Sequence, residues 1–275
     1  MKVGIVGLGL IGGSLGLDLK KTKIVSKIVG YDNNIAHCEE ALKLKLVDEI
    51  VPFEDLKNCD IVFLAIPVEA IIETLQKLKD APKNCTIVDL GSTKEKIVKS
   101  VPKEIREQFI AAHPMAGTEN FGPSAALEGL YKGNIVVLCD LEENSDLHKN
   151  RAILIFSHIG MKIIFMDSKN HDRHVAFISH MPHAVSYALA NSVMKQEDPQ
   201  NILLLAVGGF KGMSRIAKSS PKMWSDIFKQ NKNNLLKALR CFKDEIDKVE
   251  NLVESENWED LEKWMQEGRE IHKIL

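Results

Sequence analysis

Residues 2–12 read KVGIVGLGLIG, an apolar, strand-like run followed at once by three glycines in the spacing GxGxxG. Gly7 permits a tight turn, Gly9 lets the backbone approach a pyrophosphate, and Gly12 lets a helix pack closely on the strand. Asp32 comes about 20 residues after the last glycine, at the end of a second apolar run, where it would hold a ribose. The stretch therefore predicts a dinucleotide site on a Rossmann-type strand, turn and helix.

The helix that this stretch opens predicts how the cofactor is bound and which cofactor is preferred. Backbone N–H groups near Leu10 and Ile11 lie at a helix N-terminus, where they are unpaired and suit a phosphate. Residues 33–36, directly after Asp32, carry no cation that could neutralise a 2′-phosphate. Asp32 would also repel that phosphate, so we expect NAD rather than NADP.

Short apolar runs recur along the first 166 residues, at 61–66, 86–90, 109–112, 135–138 and 163–166. Their apolarity is continuous rather than alternating, as expected of strands that helices cover on both faces. These runs predict an N-terminal, doubly wound, mainly parallel sheet of the Rossmann type. Strand-like runs then stop, and we expect an NAD-binding domain at residues 1–167 and a mainly α-helical C-terminal domain at residues 168–275.

Composition excludes several classes of partner for this chain of 275 residues. The net charge of −2 gives no basic surface for nucleic acid, and no apolar run approaches the roughly 18 residues needed to span a bilayer. Met1 and Lys2 lead directly into a strand, without the order of a signal peptide. The five scattered cysteines form no CxxC motif and suit reduced thiols. We therefore expect a cytoplasmic protein that binds neither nucleic acid nor membrane.

The C-terminal half contains an apolar seam whose members are spaced alternately four and three residues apart, Leu235, Leu239, Phe242, Ile246, Val249 and Val253. That spacing predicts a long helix, and a final helix follows in which Asn257 could cap the N-terminus. The seam is explained either by the chain's own core or by burial against a second subunit. The second alternative predicts a homodimer.

Polar residues after the predicted strands are the candidates for chemistry, because open α/β sheets bind ligands at the carboxyl ends of their strands. Ser92 follows one strand and opens a helix, so it could cap that helix or contact a ligand. His113 follows the next strand and precedes Pro114. It is well placed as a general base for an alcohol that loses a hydride to NAD, with a structural histidine as the alternative.

A short helical region carries two HxxH pairs, at residues 171–174 and 180–183. Histidines at i and i+3 share a helix face, but no third ligand stands at a recognisable spacing, so we predict no metal. Pro182 instead suggests a helix that starts between Ser179 and Pro182 and directs its N–H groups and His183 at an anion.

A second candidate for anion binding lies further along the chain. Residues 208–215 predict a glycine-flanked loop that ends in Arg215 and emerges from a buried helix at residues 202–207. The planar guanidinium of Arg215 suits a carboxylate, although most arginines are surface residues.

Five motifs in this order resemble the prephenate dehydrogenase family over nearly the whole chain: GLGLIGGS at 7–14, DLGSTK at 89–94, HPMAGTE at 113–119, SHMPH at 179–183 and GGFKGMSR at 208–215. The resemblance implies NAD(P)-dependent oxidation of the ring alcohol of prephenate. The ring carboxylate leaves as CO2, and the product is 4-hydroxyphenylpyruvate.

The resemblance also implies roles for individual residues. His113 matches the family's catalytic histidine, and Ser92 matches a serine that bridges the substrate hydroxyl and the nicotinamide. Arg215 matches the arginine that binds a substrate carboxylate. Further positions resemble substrate-pocket residues of the family or follow the catalytic histidine as in relatives, namely Ser179, His183, Trp224, Thr118 and Glu119.

One position departs from the family pattern and leaves alternatives open. Gly212 stands where many relatives carry an acidic residue that pairs with the arginine, so Arg215 would be held by Glu119 or by another chain. The chain ends after the helices, which implies that any tyrosine inhibition acts at the active site. Arogenate or dual use competes with prephenate as substrate. A 3-hydroxyacid or imine-type dehydrogenase and a non-catalytic NAD-binding protein are the remaining alternatives.

Overall fold

Strand β1, Lys2–Val6, lies inside a sheet, with Val3 and Ile5 buried in the core on one face and Val6 in the core on the other. It pairs in parallel with β2, Lys27–Tyr31, and with β4, Ile61–Leu64, so that Val3 stands opposite Ile28 and Ile61. The structure is a computed structural model and describes residues 1–274. The remaining strands are β3, Glu49–Ile50; β5, Thr86–Asp89; β6, Phe109–Pro114; β7, Ile135–Cys139; and β8, Lys162–Met166.

Helices follow most of the strands, and after β8 the described chain contains helices without further strands. In the first part they are α1, Leu10–Lys20; α2, Ile35–Lys43; α3, Val68–Lys77; α4, Glu95–Lys99; and α5, Asp146–His158. After β8 they are α6, Ser168–Val175; α7, Met181–Met194; α8, Pro199–Leu204; α9, Gly208–Ser214; α10, Pro221–Gln230; α11, Lys232–Glu254; and α12, Trp258–Arg269. No helix within residues 1–274 is long and apolar enough to cross a membrane.

The sheet has the order β3-β2-β1-β4-β5-β6-β7-β8. Neighbours are parallel except β6 and β7, which pair antiparallel, with His113 opposite Val137. A parallel crossover needs a connection that returns the chain to the other end of the sheet, usually by a helix. Residues 115–134 form only a short 3-10 helix at Pro123–Ala125, and β7 runs back beside β6. The predicted Rossmann-type, mainly parallel sheet is confirmed.

Both faces of the sheet are buried at its central strands, as the continuous apolar runs predict, whereas the edge strand β8 leaves Ile164 and Phe165 exposed. In β4, Ile61 and Phe63 belong to a core cluster shared with α1 and α5, while Val62 and Leu64 belong to a second cluster shared with α3. Successive side chains of a strand point to opposite faces, so each apolar pair covers one side. Two helical layers therefore fix the carboxyl ends of the strands.

The described chain separates into two compact units, Met1–Asn231 and Lys232–Leu275. The second unit contains α11 and α12, as the apolar seam predicts, and the Asn257 side chain accepts a hydrogen bond from the backbone N–H of Asp260. Ile246 and Val253 of the seam are exposed, so they are not part of the chain's own core. The division at residues 167 and 168 stays a prediction.

One prediction for the helical part is correct in position but wrong in its consequence. α7 begins at Met181, between Ser179 and Pro182 as predicted, but it continues directly from α6 through a π-helical turn, Ala176–His180. The wider turn accommodates Pro182, which lacks the N–H of a regular helix. Consequently no unpaired helix N-terminus faces an anion at this point.

The predicted glycine-flanked loop at residues 208–215 is also wrong, since residues 208–214 form α9 and Arg215 begins a 3-10 helix, Arg215–Lys218. The glycines at its start are tolerated within the helix. The apolar run before it is not buried: the exposed fractions of Leu204 and Leu205 are 80% and 83%.

Candidate active site

The glycine-rich turn between β1 and α1 is shaped by close backbone contacts. Gly7 has φ of +91°, and a Cβ atom there would lie 2.4 Å from the carbonyl oxygen of Ala65. A Cβ atom on Gly12 would lie 1.9 Å from the carbonyl oxygen of Gly7. Neither position can hold a larger residue without moving the backbone, so both glycines are explained by the turn itself.

The backbone of this turn is open to a ligand at Gly9 and at the start of α1. A Cβ atom on Gly9 would meet nothing nearer than 3.9 Å, and no side chain caps the N-terminus of α1 at Leu10 and Ile11. The unpaired N–H groups of that first turn suit a pyrophosphate. Asp32 stands after β2, where its carboxylate accepts the backbone N–H groups of Leu8, at 2.9 Å, and Asn34, at 2.9 Å. The acidic side chain is thereby fixed beside the glycine-rich turn.

A buried ion pair lies between the ends of β5 and β6. The carboxylate of Asp89 forms an ion pair with the Lys94 ammonium. It also accepts hydrogen bonds from the backbone N–H groups of Gly91, at 3.0 Å, and Ala112, at 3.2 Å. Lys94 also donates to the carbonyl oxygen of Ala112 at 2.7 Å. Burial raises the pKa of Asp89, and the Lys94 ammonium opposes that shift. The pair ties the segment that carries Ser92 to the residue before His113.

Ser92 does not cap the helix that follows it. The N–H groups of Lys94 and Glu95, at the start of α4, donate instead to the carboxylate of Asp172, at 2.8 and 3.0 Å. Ser92 is half-buried, and its hydroxyl has no hydrogen-bond partner among residues 1–274. The capping alternative is therefore wrong, and the ligand alternative remains.

His113 lies at the end of β6 and contacts a second histidine. Its Nδ1 atom is 2.8 Å from Nε2 of His171, and the two rings meet edge to face. Burial lowers the pKa of His113 well below the usual 6.5, and the neighbouring His171 and Lys94 lower it further. The imidazole is consequently neutral at pH 7, as a general base must be.

Two further predicted site residues meet on the helical side. The rings of His183 and Trp224 are stacked, with their centroids 3.5 Å apart, and Nδ1 of His183 bonds the carbonyl oxygen of Ser179 at 2.9 Å. Burial lowers the pKa of His183, and the nearby Arg215 adds to this shift. His180 meets the edge of the same indole, and burial lowers its pKa to about 4. The cluster presents neutral rings beside one guanidinium.

The guanidinium of Arg215 forms an ion pair with the carboxylate of Glu119, with 3.2 Å between Nη1 and Oε2. Gly212 has no side chain and supplies no partner to the arginine. Of the two predicted partners of Arg215, Glu119 or another chain, the structure shows Glu119. The Thr118 hydroxyl accepts the backbone N–H of Asn120 at 3.2 Å and shapes the same loop. Arg215 keeps 57% of its side chain exposed and is open to a ligand.

Comparison with known families decides the classification. Residues 15–165 match the family model described as the prephenate dehydrogenase nucleotide-binding domain, and residues 167–267 match the model of the prephenate dehydrogenase dimerization domain. The chain belongs to the prephenate dehydrogenase family. Its members are NAD-dependent oxidoreductases, and the predicted resemblance is confirmed.

Individual members of the prephenate dehydrogenase family are similar to this chain over nearly its whole length. Prephenate dehydrogenase of Bacillus subtilis is 32% identical over 98% of this chain and 75% of its own length. The structure of Aquifex aeolicus prephenate dehydrogenase with hydroxyphenyl propionate and NAD+ has 32% identity, a TM-score of 0.92, and coverage of 100% and 97%. Synechocystis arogenate dehydrogenase has 30% identity, a TM-score of 0.82 and full coverage of both chains.

The structure of this prephenate dehydrogenase family member also adds residues that the sequence did not assign. Lys94 and Asp172 connect the Ser92 segment to His113, yet Asp172 comes 78 residues after Lys94 in the sequence. His171 stood out only as half of an HxxH pair. Within the described residues, no group of three His, Cys, Asp or Glu side chains is arranged to hold a metal ion.

Proposed function

We propose that this enzyme oxidises prephenate with NAD and releases CO2 and 4-hydroxyphenylpyruvate. The observation that carries the proposal is the match to both prephenate dehydrogenase domain models over nearly the whole chain. When bound, NAD accepts the hydride from the ring carbon that carries the hydroxyl group. The electrons of the bond to the leaving carboxylate then enter the ring, which becomes aromatic.

We assign the proton transfer to His113. Its neutral imidazole accepts the hydroxyl proton of the substrate while the hydride leaves the same carbon. The Ser92 hydroxyl, which has no partner within the described chain, supports a contact with both the substrate hydroxyl and the nicotinamide. Such a contact would hold the reacting atoms in line. Aromatisation drives the loss of CO2, so no separate acid is needed at the carboxylate.

We assign substrate binding to the cluster around Arg215. A guanidinium binds a carboxylate through two parallel hydrogen bonds, and the ion pair with Glu119 supports a defined orientation for Arg215. The stacked rings of His183 and Trp224 offer an apolar wall with a polar edge. Three residues complete the proposed pocket, namely Ser179, Thr118 and Glu119.

We assign cofactor binding to the turn after β1. Gly7, Gly9 and Gly12 shape the turn, and the first N–H groups of α1 near Leu10 and Ile11 face the proposed pyrophosphate site. Asp32 favours NAD over NADP, since a carboxylate accepts from a ribose hydroxyl and repels a 2′-phosphate.

The helices of residues 167–267 support a homodimer, because they match a dimerization domain and leave apolar side chains such as Leu204, Leu205 and Trp258 exposed. The five cysteines are unpaired, which supports a cytoplasmic location. Light scattering coupled to gel filtration tests the dimer. Inhibition by tyrosine, which we place at the active site, is tested by competition against prephenate.

The decisive experiment is a matrix of purified protein with NAD or NADP and with prephenate or arogenate, followed by absorbance of the reduced nicotinamide. We expect rapid reduction with NAD and prephenate, and loss of turnover in His113→Asn. His174→Asn, an exposed histidine on α6, is the matched control and should retain activity. Preference for arogenate would reassign the substrate.

Silence with both substrates would favour another dehydrogenase or a non-catalytic NAD-binding protein. Equal inactivity of the wild type and His113→Asn, together with equal binding of NAD, would favour the non-catalytic alternative.

A further inference from the structure

We infer that His171 and Asp172 form a positioning pair that fixes His113 in the one tautomer able to act as a base and shares the proton that His113 acquires. The inference deepens the proposed function, because it rests on His113 as the base of that reaction. It concerns two residues of α6 that stand 58 and 59 positions after His113 in the sequence.

The hydrogen-bond directions in this group follow from its fixed end. The Asp172 carboxylate can only accept, and Nδ1 of His171 lies 2.8 Å from its Oδ1 atom, so Nδ1 of His171 carries the hydrogen. A neutral imidazole has one N–H group, which leaves a lone pair on Nε2 of His171. That atom faces Nδ1 of His113 at 2.8 Å, and Nδ1 of His113 must therefore be the donor.

The remaining nitrogen of His113 is then the reactive one. With the hydrogen on Nδ1, neutral His113 holds a lone pair on Nε2, and this atom has no hydrogen-bond partner within residues 1–274. The opposite tautomer would place a hydrogen on Nε2 and could not accept the substrate hydroxyl proton there. The orientation of one carboxylate therefore decides, through two rings, whether His113 can act as a base.

The pair also accommodates the charge produced by the reaction. When the substrate O–H bond breaks and an Nε2–H bond forms on His113, the ring becomes an imidazolium. Its Nδ1 hydrogen can move to Nε2 of His171, which leaves His113 neutral and places the positive charge beside the Asp172 carboxylate. Protons are only moved along existing hydrogen bonds, and no further reactant is needed.

Asp172 is itself held rigidly, so it can orient a neighbour. Its carboxylate accepts the backbone N–H groups of Lys94 and Glu95, and its own carbonyl oxygen accepts from the Asn231 amide at 2.6 Å. Both Asp172 and His171 are buried. The carboxylate that orients His113 through His171 thus also anchors the segment two residues after Ser92, and the two proposed catalytic residues share one support.

The test reads the tautomer directly by NMR of the whole protein labelled with ¹⁵N-histidine, at about pH 8, where free histidine is neutral. The His113 signals are assigned by their loss in His113→Asn. We expect wild-type His113 to carry its hydrogen on Nδ1, and His171→Phe to shift the population to Nε2–H. His174→Phe, which replaces an exposed histidine of the same helix, should leave the His113 signals unchanged.

Kinetics provide the second readout. Because a general base contributes about 10²- to 10⁴-fold to a rate, we expect His171→Phe to lower kcat by about 10- to 100-fold. The KM for prephenate should change less than about threefold, since the pair touches His113 and not the proposed carboxylate site. His174→Phe should keep the wild-type kcat.

Two results would overturn the inference. A hydrogen on Nε2 of wild-type His113 would do so even if His171→Phe failed to fold, and so would a kcat of folded His171→Phe within about threefold of the wild type. A wild-type enzyme that reduces NAD with neither substrate would instead refute the proposed function. The tautomer spectrum does not depend on turnover and separates these two failures.

Discussion

Replacing Lys94 by Met tests the buried ion pair at the ends of β5 and β6. The substitution keeps most of the side-chain volume but leaves the Asp89 carboxylate with only the N–H groups of Gly91 and Ala112. Breaking a buried pair in this way costs about 3–5 kcal/mol, because the remaining charge has lost its partner. At about 2–4 °C per kcal/mol for a chain of this size, the melting temperature should fall by about 6–20 °C.

The loss of stability in Lys94→Met should become smaller as the pH is lowered. Burial raises the pKa of Asp89, and removal of the lysine leaves that shift unopposed. A carboxyl with a raised pKa in the folded state keeps its proton to a higher pH than in the unfolded chain, so its stability contribution falls as pH rises. Below neutral pH the Lys94→Met protein should therefore recover up to about 1.4 kcal/mol per pH unit relative to the wild type.

The assay is thermal unfolding followed by circular dichroism, at fixed protein concentration and without cofactor. Lys99→Met is the matched control, because Lys99 forms an exposed pair with Glu95 on α4 and should change stability by less than about 0.5 kcal/mol. A fall in melting temperature in Lys94→Met no larger than that in Lys99→Met would refute the reasoning. So would a difference in melting temperature between Lys94→Met and the wild type that does not become smaller as the pH is lowered.

Three other outcomes follow from the site. Gly12→Ala should cost about 1–3 kcal/mol and weaken NAD binding, since the new Cβ atom meets the Gly7 carbonyl oxygen at 1.9 Å; calorimetric titration that finds unchanged affinity would contradict this. Arg215→Gln should raise the KM for prephenate by about 10- to 100-fold, as expected for a lost charged hydrogen bond, and leave the KM for NAD unchanged. Because burial lowers the pKa of His113 well below 6.5, kcat/KM for prephenate should stay constant on acidification to pH 6.5 and decline only below it; a decline that begins near neutral pH would contradict the lowered pKa of His113.

The parts of the fold that depend on local pattern could be predicted from the sequence. Continuous apolar runs located the strands, of which β8 is exposed at its edge position, and the glycine spacing of residues 7–12 located the first turn. The antiparallel direction of β7 was not evident, because an apolar run is the same for either direction. The missing signal was the segment at residues 115–134, which carries no crossover helix.

The candidate site was predictable only where one motif carries it. His113, Ser92 and Arg215 each stand in a recognisable motif, whereas the contact of His113 with His171 depends on how α6 packs on the sheet. The loop predicted at residues 208–215 was wrong because glycine usually interrupts helices, although α9 contains three of them. The other site residues are brought together by hydrogen bonds between distant parts of the sequence, which residue types alone do not reveal.

The π-helical turn Ala176–His180 sets the angular relation between the two helices that it joins. One residue of a regular helix contributes about 1.5 Å of length and 100° of rotation. Deleting a single residue from this turn would keep the chain helical but rotate α7 by about that angle relative to α6. His171 could still face His113, while His183 would turn away from Trp224. The number of residues in the turn, more than their identity, therefore decides whether His171 of α6 and His183 of α7 face the same site.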